Sequence, residues 1–218
     1  MTENPRQFPR TVWLGMSLAF GLLGLAYVVA LAKMERTRQA ILPVIGPIAD
    51  FTLTNQNGKI TTLADLTNHV WVADIIFTRC AGPCPIMTGQ MKMLQDALPQ
   101  TSHAKLVTLT TDPDYDSPDV MKRYAGRFNA DFNRWTFLTG TKSEIAALAS
   151  GSLKLSAVPV KSGDQKNPAD LFIHTTIFVV VDKHAQLRGI FETGGEGVDW
   201  TKVQPRVIAT VRQLEREP

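Results

Sequence analysis

Cysteine is scarce in this chain: Cys80 and Cys84 are the only two among 218 residues. That excludes a scaffold stapled by several disulfides, the usual device of small secreted domains. A single bridge between them would close too short a loop to stabilise much, because the entropic gain grows with loop length. The pair therefore reads as functional. Histidine is nearly as sparse, with His69, His103, His174 and His184. No run of Lys or Arg is present and the net charge is only +3, so a nucleic-acid surface is excluded. No internal repeat and no low-complexity tract interrupts the chain. Charged residues make up 20% and apolar residues 44%, the balance of a globular protein rather than a disordered one. The length suits one domain of about 150–180 residues plus extra segments.

What is present begins with one long uncharged stretch, residues 11–32. At about 1.5 Å per residue it is long enough to cross a hydrocarbon core. Trp13 and Tyr27 stand near its two ends, where aromatic rings favour the headgroup level. A cleaved signal peptide would carry a shorter apolar run and a small-residue cleavage site, and Lys33-Met34-Glu35-Arg36 is not one. The stretch predicts a retained single-span anchor, preceded by a tail of cytoplasmic type at 1–10. A linker at 33–47 follows, broken by Pro43, Gly46 and Pro47, and then a globular domain at 48–218. Arg6 and Arg10 precede the span, and Lys33, Arg36 and Arg38 follow it, so charge does not orient it.

Within the globular part, Asn57-Gly58 between alternating segments predicts a hairpin. Residues 70–77 form a near-continuous apolar run that suits a central strand, with Asp74 interrupting it toward a polar patch. Residues 104–109 and 135–138 read as further strands. Ser117-Pro118 reads as an N-cap hydroxyl followed by Pro at the first helical position. Residues 141–149 read as a helix, 153–160 as extended, 161–168 as a surface loop, and 172–181 as a second buried strand entered by His174. A hairpin into 187–191 and a last helix over 205–215 complete the pattern. Strands alternating with helices predict an α/β architecture.

Between the first buried strand and a segment with helical apolar spacing (Ile86, Met87, Met91, Leu94, Leu98) lies Thr78-Arg79-Cys80-Ala81-Gly82-Pro83-Cys84-Pro85. On a loop entering a helix, free amides and the positive end of the helix dipole favour a thiolate. With three residues between them, the two sulfurs can converge on one point. Two thiolates with an imidazole form a trigonal or open tetrahedral site that suits copper and, less selectively, zinc. His174 is the candidate third ligand, although a lone histidine reads equally as a plain surface or core residue. His103 and His184 fall in polar turns, and His69 lies at the far end of the first strand. Asp112, Asp114, Asp116 and Asp119 read as a solvated turn with helix-dipole compensation. Asp112 is the one most suited to a role at the site.

The ordered set Cys80-Ala81-Gly82-Pro83-Cys84-Pro85, Thr111-Asp112-Pro113-Asp114-Tyr115-Asp116-Ser117-Pro118, Leu138-Thr139-Gly140 and His174-Thr175-Thr176 resembles the Sco/SenC family of copper-handling proteins. The resemblance implies a thioredoxin-like fold, a central mixed sheet flanked by helices, tethered by one N-terminal transmembrane helix. It places the domain in the bacterial periplasm or, second, the mitochondrial intermembrane space. It implies a copper ion, Cu(I) or Cu(II), held by Cys80, Cys84 and His174. The implied task is assembly of the CuA centre on its subunit of cytochrome c oxidase, with other copper chaperones as further partners. One departure is Ala81, where the family commonly has Pro straight after the first Cys; here Pro83 precedes the second.

Such a metallochaperone performs no turnover chemistry and is not an enzyme in the strict sense. The alternative is a thiol-disulfide oxidoreductase in which Cys80 and Cys84 are the redox pair and reduce the acceptor's cysteines. The three-residue spacing, where thioredoxin's motif has two, and the His-Thr before the strand count against a general-purpose reductase. A peroxidase of the peroxiredoxin type lacks a companion pattern around either cysteine.

Overall fold

The computed structural model describes residues 10–37, 42–155, 157–159, 172–174 and 176–218, with the backbone alone at 10–12, 14, 32–37, 157–159 and 172–174. In chain order the elements are α1 (Arg10–Thr37), β1 (Gly46–Pro47), β2 (Thr52–Asn55), β3 (Ile60–Thr62), β4 (Trp71–Ile76), α2 (Pro83–Ala97), β5 (Lys105–Thr110) and α3 (Pro118–Arg127). There follow β6 (Trp135–Thr139), α4 (Lys142–Ala146), β7 (Ala157–Pro159), β8 (Phe172–His174), β9 (Ile177–Val181), β10 (Gln186–Glu192) and α5 (Trp200–Arg216). Two units divide the chain, 1–42 and 43–218.

The first unit is α1, 28 residues long. Its described side chains, Trp13 and the run 15–31, are exposed, among them Leu18, Phe20, Leu22, Leu23, Leu25, Val28 and Val29. Among the described residues no helix is long and apolar enough to cross a membrane. The expected anchor at 11–32 is therefore not established by the fold.

The second unit is built on an eight-stranded mixed sheet of order β1-β10-β9-β4-β5-β6-β2-β3. The strands β4, β5 and β6 run parallel, while β9 lies antiparallel to β4 and pairs with β10 as a hairpin. All six residues of β4 are buried, as a central strand covered on both faces requires. One face packs Trp71, Ala73, Ile75, Leu109 and Val179 against Leu148, Leu153 and Leu155. The Asn57-Gly58 turn joins β2 to β3, with Gly58 at φ +72, a conformation glycine adopts without a Cβ clash.

Several expectations need correction. The stretch 172–181 is not one strand: β8 pairs with β7 in a separate two-stranded sheet, and only β9 enters the main sheet. Residues 153–155 are not part of a strand, because the helix from Lys142 widens into π turns over Ala147–Ser152 and buries Leu153 and Leu155. The extended backbone described there is limited to β7. The segment 161–168 lies outside the described residues. Ser117 caps α3 by position only, without a side-chain hydrogen bond. The last helix starts at Trp200 rather than Pro205, because Asp199 accepts from the amide of Thr201 and satisfies a first-turn donor. Pro205 is carried inside the helix.

Candidate metal centre

Parallel pairing of β4 with β5 brings the loops at their C-terminal ends together: Ile76 is opposite Thr110, and the amide of Thr111 donates to the carbonyl of Ile76 at 2.8 Å. The first loop carries Cys80, and Pro83 opens α2 with Cys84 in its first turn. Proline suits that position because its missing N–H has no intrahelical partner there. Gly82 is the N-cap and offers no side-chain oxygen, and with Pro83 and Pro85 lacking an N–H the amide donors of the first turn are those of Cys84 and Ile86. Cys80 is 8% exposed and Cys84 is fully shielded, and no bridge joins them.

Cys84's thiol lies within hydrogen-bond reach of Cys80's sulfur. That contact, followed by burial, pushes the Cys84 thiol up, against the lowering from the backbone at Phe77. Helix-start donors alone would have favoured a thiolate, so this corrects the expectation for the metal-free pair. Two sulfurs at one point cannot both ionise without a cation between them. A soft cation between them would displace their protons.

Behind Cys84 lies a buried polar cluster. The Thr88 hydroxyl donates to the Cys84 carbonyl at 2.9 Å and stands 2.9 Å from the hydroxyl of Tyr124, whose pKa burial pushes up. Asp74 is completely buried; its Oδ1 accepts from the Thr108 hydroxyl at 2.7 Å, and Trp135 Nε1 donates to the same hydroxyl oxygen at 2.9 Å. Among the described residues its Oδ2 has no hydrogen-bond partner. Burial raises its pKa to about 7, and its charge in turn raises Cys84. The expected polar patch at Asp74 is thus an internal one.

The acidic cluster is only in part the solvated turn expected, because Asp112 and Asp116 are buried. Asp116 is fully buried and accepts from the amide of Thr78 at 3.1 Å and from the hydroxyls of Thr78 and Thr110; burial raises its pKa. It fixes the residue two before Cys80. Asp112, also buried, accepts from Arg79 Nε and Nη2 at 2.7 Å each, and the guanidinium lies 4.6 Å from the Tyr115 ring centre. Asp114, paired with Lys142, and Asp119, exposed in the first turn of α3, are surface charges. A Thr-rich loop beside the acidic run was the signal for Asp116: hydroxyls supply the donors that a buried carboxylate needs.

The histidines divide as the strand directions require. His69 Nδ1 meets the His103 carbonyl at 2.9 Å, and His184 Nε2 meets that of Pro218 at 2.9 Å. His174 ends β8, its backbone opposite Ala157, and its side chain lies outside the described residues. Because Trp71 faces Val181 and Ala73 faces Val179, β9 starts at the end of β4 from which the cysteine loop leaves. Among the described residues no cluster of three His, Cys, Asp or Glu side chains is placed to hold a metal ion.

Comparison with known proteins bears on this loop. The SCO1/SenC family model matches residues 46–204. The chain belongs to the SCO1/SenC family. The SCO1 protein homolog of Bacillus subtilis is 35% identical over 141 residues, 64% of this chain and 70% of that protein. A solved structure of BsSco, described as a Sco-family cytochrome c oxidase assembly protein with a disulfide switch, is 30% identical. It covers 83% of this chain and 100% of its own, with a TM-score of 0.67. Copper-bound ScoI of Bradyrhizobium japonicum shares the fold at 21% identity and a TM-score of 0.63, over 77% of this chain and 99% of its own. The thioredoxin-type α/β fold of this Sco-family chain is that of its relatives.

Proposed function

We propose that this chain is a membrane-anchored copper metallochaperone that holds the ion on Cys80, Cys84 and His174 and serves assembly of the CuA centre of cytochrome c oxidase. The observation that carries the reading is the unbridged thiol pair at the start of α2, where Cys84's thiol is pushed up by Cys80 and by burial. Such a pair sheds its protons to a soft cation. Copper supplies that cation, and imidazole is the third donor that completes a trigonal site. The Sco relatives described above as copper-bound or as oxidase assembly proteins support the same assignment. Delivery is a ligand exchange in which thiols of the acceptor subunit replace Cys80, Cys84 and His174 in turn. Other copper chaperones are the natural source. The uncharged stretch at 11–32, between the tail at 1–10 and the linker at 33–47, is the candidate span on its sequence. It tethers the domain on the oxidising side, in the bacterial periplasm.

The reduced chain is expected to take up one copper per molecule. Cys80→Ser and Cys84→Ser each abolish tight uptake, and His174→Ala weakens it and alters the thiolate-to-copper absorption. Absence of stoichiometric uptake, or a His174→Ala variant that binds like the parent, would overturn the reading.

One observation favours a second activity at the same residues. The sulfurs are adjacent and unbridged, and BsSco is described with a disulfide switch. Cys80, the more accessible, then attacks an acceptor disulfide and Cys84 resolves the mixed disulfide. Copper-independent reduction of a CuA-domain disulfide would establish it.

A further inference from the structure

Gln90 lies six residues beyond Cys84 on α2, and its side chain is buried. Its Nε2 donates to the carbonyl of Thr193 at 2.8 Å. Thr193 is the residue after β10, and its amide and hydroxyl both donate to the carbonyl of Thr176, at 2.7 and 3.1 Å. The Thr176 hydroxyl donates onward to the carbonyl of Gly194 at 2.7 Å. A Cβ at Gly194 would stand 3.3 Å from three side-chain atoms of Thr176, so the two are in close contact. Thr176 is two residues past His174. A series of hydrogen bonds thus runs from the helix that bears Cys84 to Thr176, immediately before β9.

The other half of the Gln90 carboxamide marks it as more than packing. Among the described residues its Oε1 is buried without a hydrogen-bond partner. An apolar side chain of the same size would avoid that desolvation penalty. Its one made bond reaches across to the strand end nearest the cysteine loop. Groups that orient a metal ligand from outside the coordination shell typically have this character: a short, buried polar link from a rigid element.

We propose that Gln90 is the positioning residue for His174, setting through Thr193 and Thr176 how the histidine-bearing connection sits against the Cys80–Cys84 loop. The proposal rests on the copper reading above. It adds that the third ligand is aligned by α2 itself, the element that also carries Cys84.

The test is a double-mutant cycle in the full-length reduced chain, titrated with copper in competition with a chelator of known affinity. Gln90→Leu keeps the volume and removes the donor. It is expected to weaken binding about tenfold, the low end for such outer contacts, and to move the thiolate-to-copper absorption toward that of His174→Ala. In the His174→Ala background it is expected to have no further effect. Amide hydrogen exchange at Thr193 is expected to quicken in Gln90→Leu without any metal, while the Cys80–Cys84 disulfide potential stays unchanged. Thr176→Val, which leaves α2 untouched, gives a second entry should Gln90→Leu fold poorly, and the same affinity loss is expected. Equal weakening with and without His174 would show a merely structural role and overturn the proposal. So would unchanged affinity in both variants. Failure of the parent chain to bind copper, or an inert His174→Ala, would instead refute the copper reading and remove the ligand that Gln90 is said to align.

Discussion

Asp74→Asn isolates one carboxyl in the middle of the central strand. Asp74 has no exposure and accepts from the Thr108 hydroxyl, and among the described residues its Oδ2 has no partner. Burial outweighs the Thr108 bond and lifts its pKa from 3.8 to about 7. The folded chain therefore keeps a proton on Asp74 over an interval of about 3 pH units in which the unfolded chain has lost it. The group's contribution to stability is fully present below its unfolded pKa and falls as pH rises toward the folded one, levelling off above it. At about 1.4 kcal/mol per pH unit, the total loss is on the order of 4 kcal/mol. Asn resembles the protonated carboxyl, still accepting from Thr108 but never ionising. The difference between variant and parent should thus grow in the variant's favour from about pH 4 to pH 7 and then become flat. Urea unfolding of the reduced, metal-free chain across that range measures it, since other titrating groups cancel in the difference where they act independently. A difference that does not change with pH would show that Asp74 is ionised in the fold at every pH tested. The burial argument would then be wrong, and Asp74's charge would act on Cys84 over the whole range.

Arg188 is buried between Asp182 at 2.6 Å and Glu217 at 2.9 Å, so Arg188→Ala strands Asp182 without its cation. A loss of about 3–5 kcal/mol is expected by urea unfolding; a loss under about 1 kcal/mol would mean that water reaches the pair. Leu94 is buried on α2 well past the thiols, and Leu94→Ala should cost about 2–5 kcal/mol. Its thiols should nevertheless react with an aromatic disulfide at the parent rate under native conditions, and a markedly faster rate would show that the loop and the core open together.

Much of the site was legible because its signals are local. An apolar run, a loop with two cysteines and a proline at the first helical position specify strand, loop and helix without reference to anything distant. The parts that failed depend on partners far along the chain. Phe172–His174 and Ile177–Val181 share one apolar composition, and nothing in it says that Ala157–Pro159 will draw off the first three residues into another sheet. Pro205 looked like a helix start, yet Asp199 had already capped the helix one turn and a half earlier. Asp116 looked solvated until the hydroxyls of Thr78 and Thr110 were seen to enclose it. Gln90 carried no pattern at all, since its role is defined by Thr193, more than a hundred positions away.

The two chemistries open to this loop ask different things of Cys84. A reducing agent works through a thiolate that a partner can reach, with a pKa near or below ambient pH. Cys84 is fully shielded, and Cys80, burial and the charge of Asp74 all push its thiol up. Those features handicap it as an attacking group and leave that part to Cys80. They handicap metal binding less, because coordination removes the proton and replaces it with a positive ion at the point where both sulfurs face one another. Burial then works in the ion's favour, weakening competition from water. The same enclosure makes release slow unless an acceptor's ligands enter as the chain's own leave. In this reading the partly exposed Cys80 and the histidine-bearing connection are where exchange begins, and Cys84 lets go last.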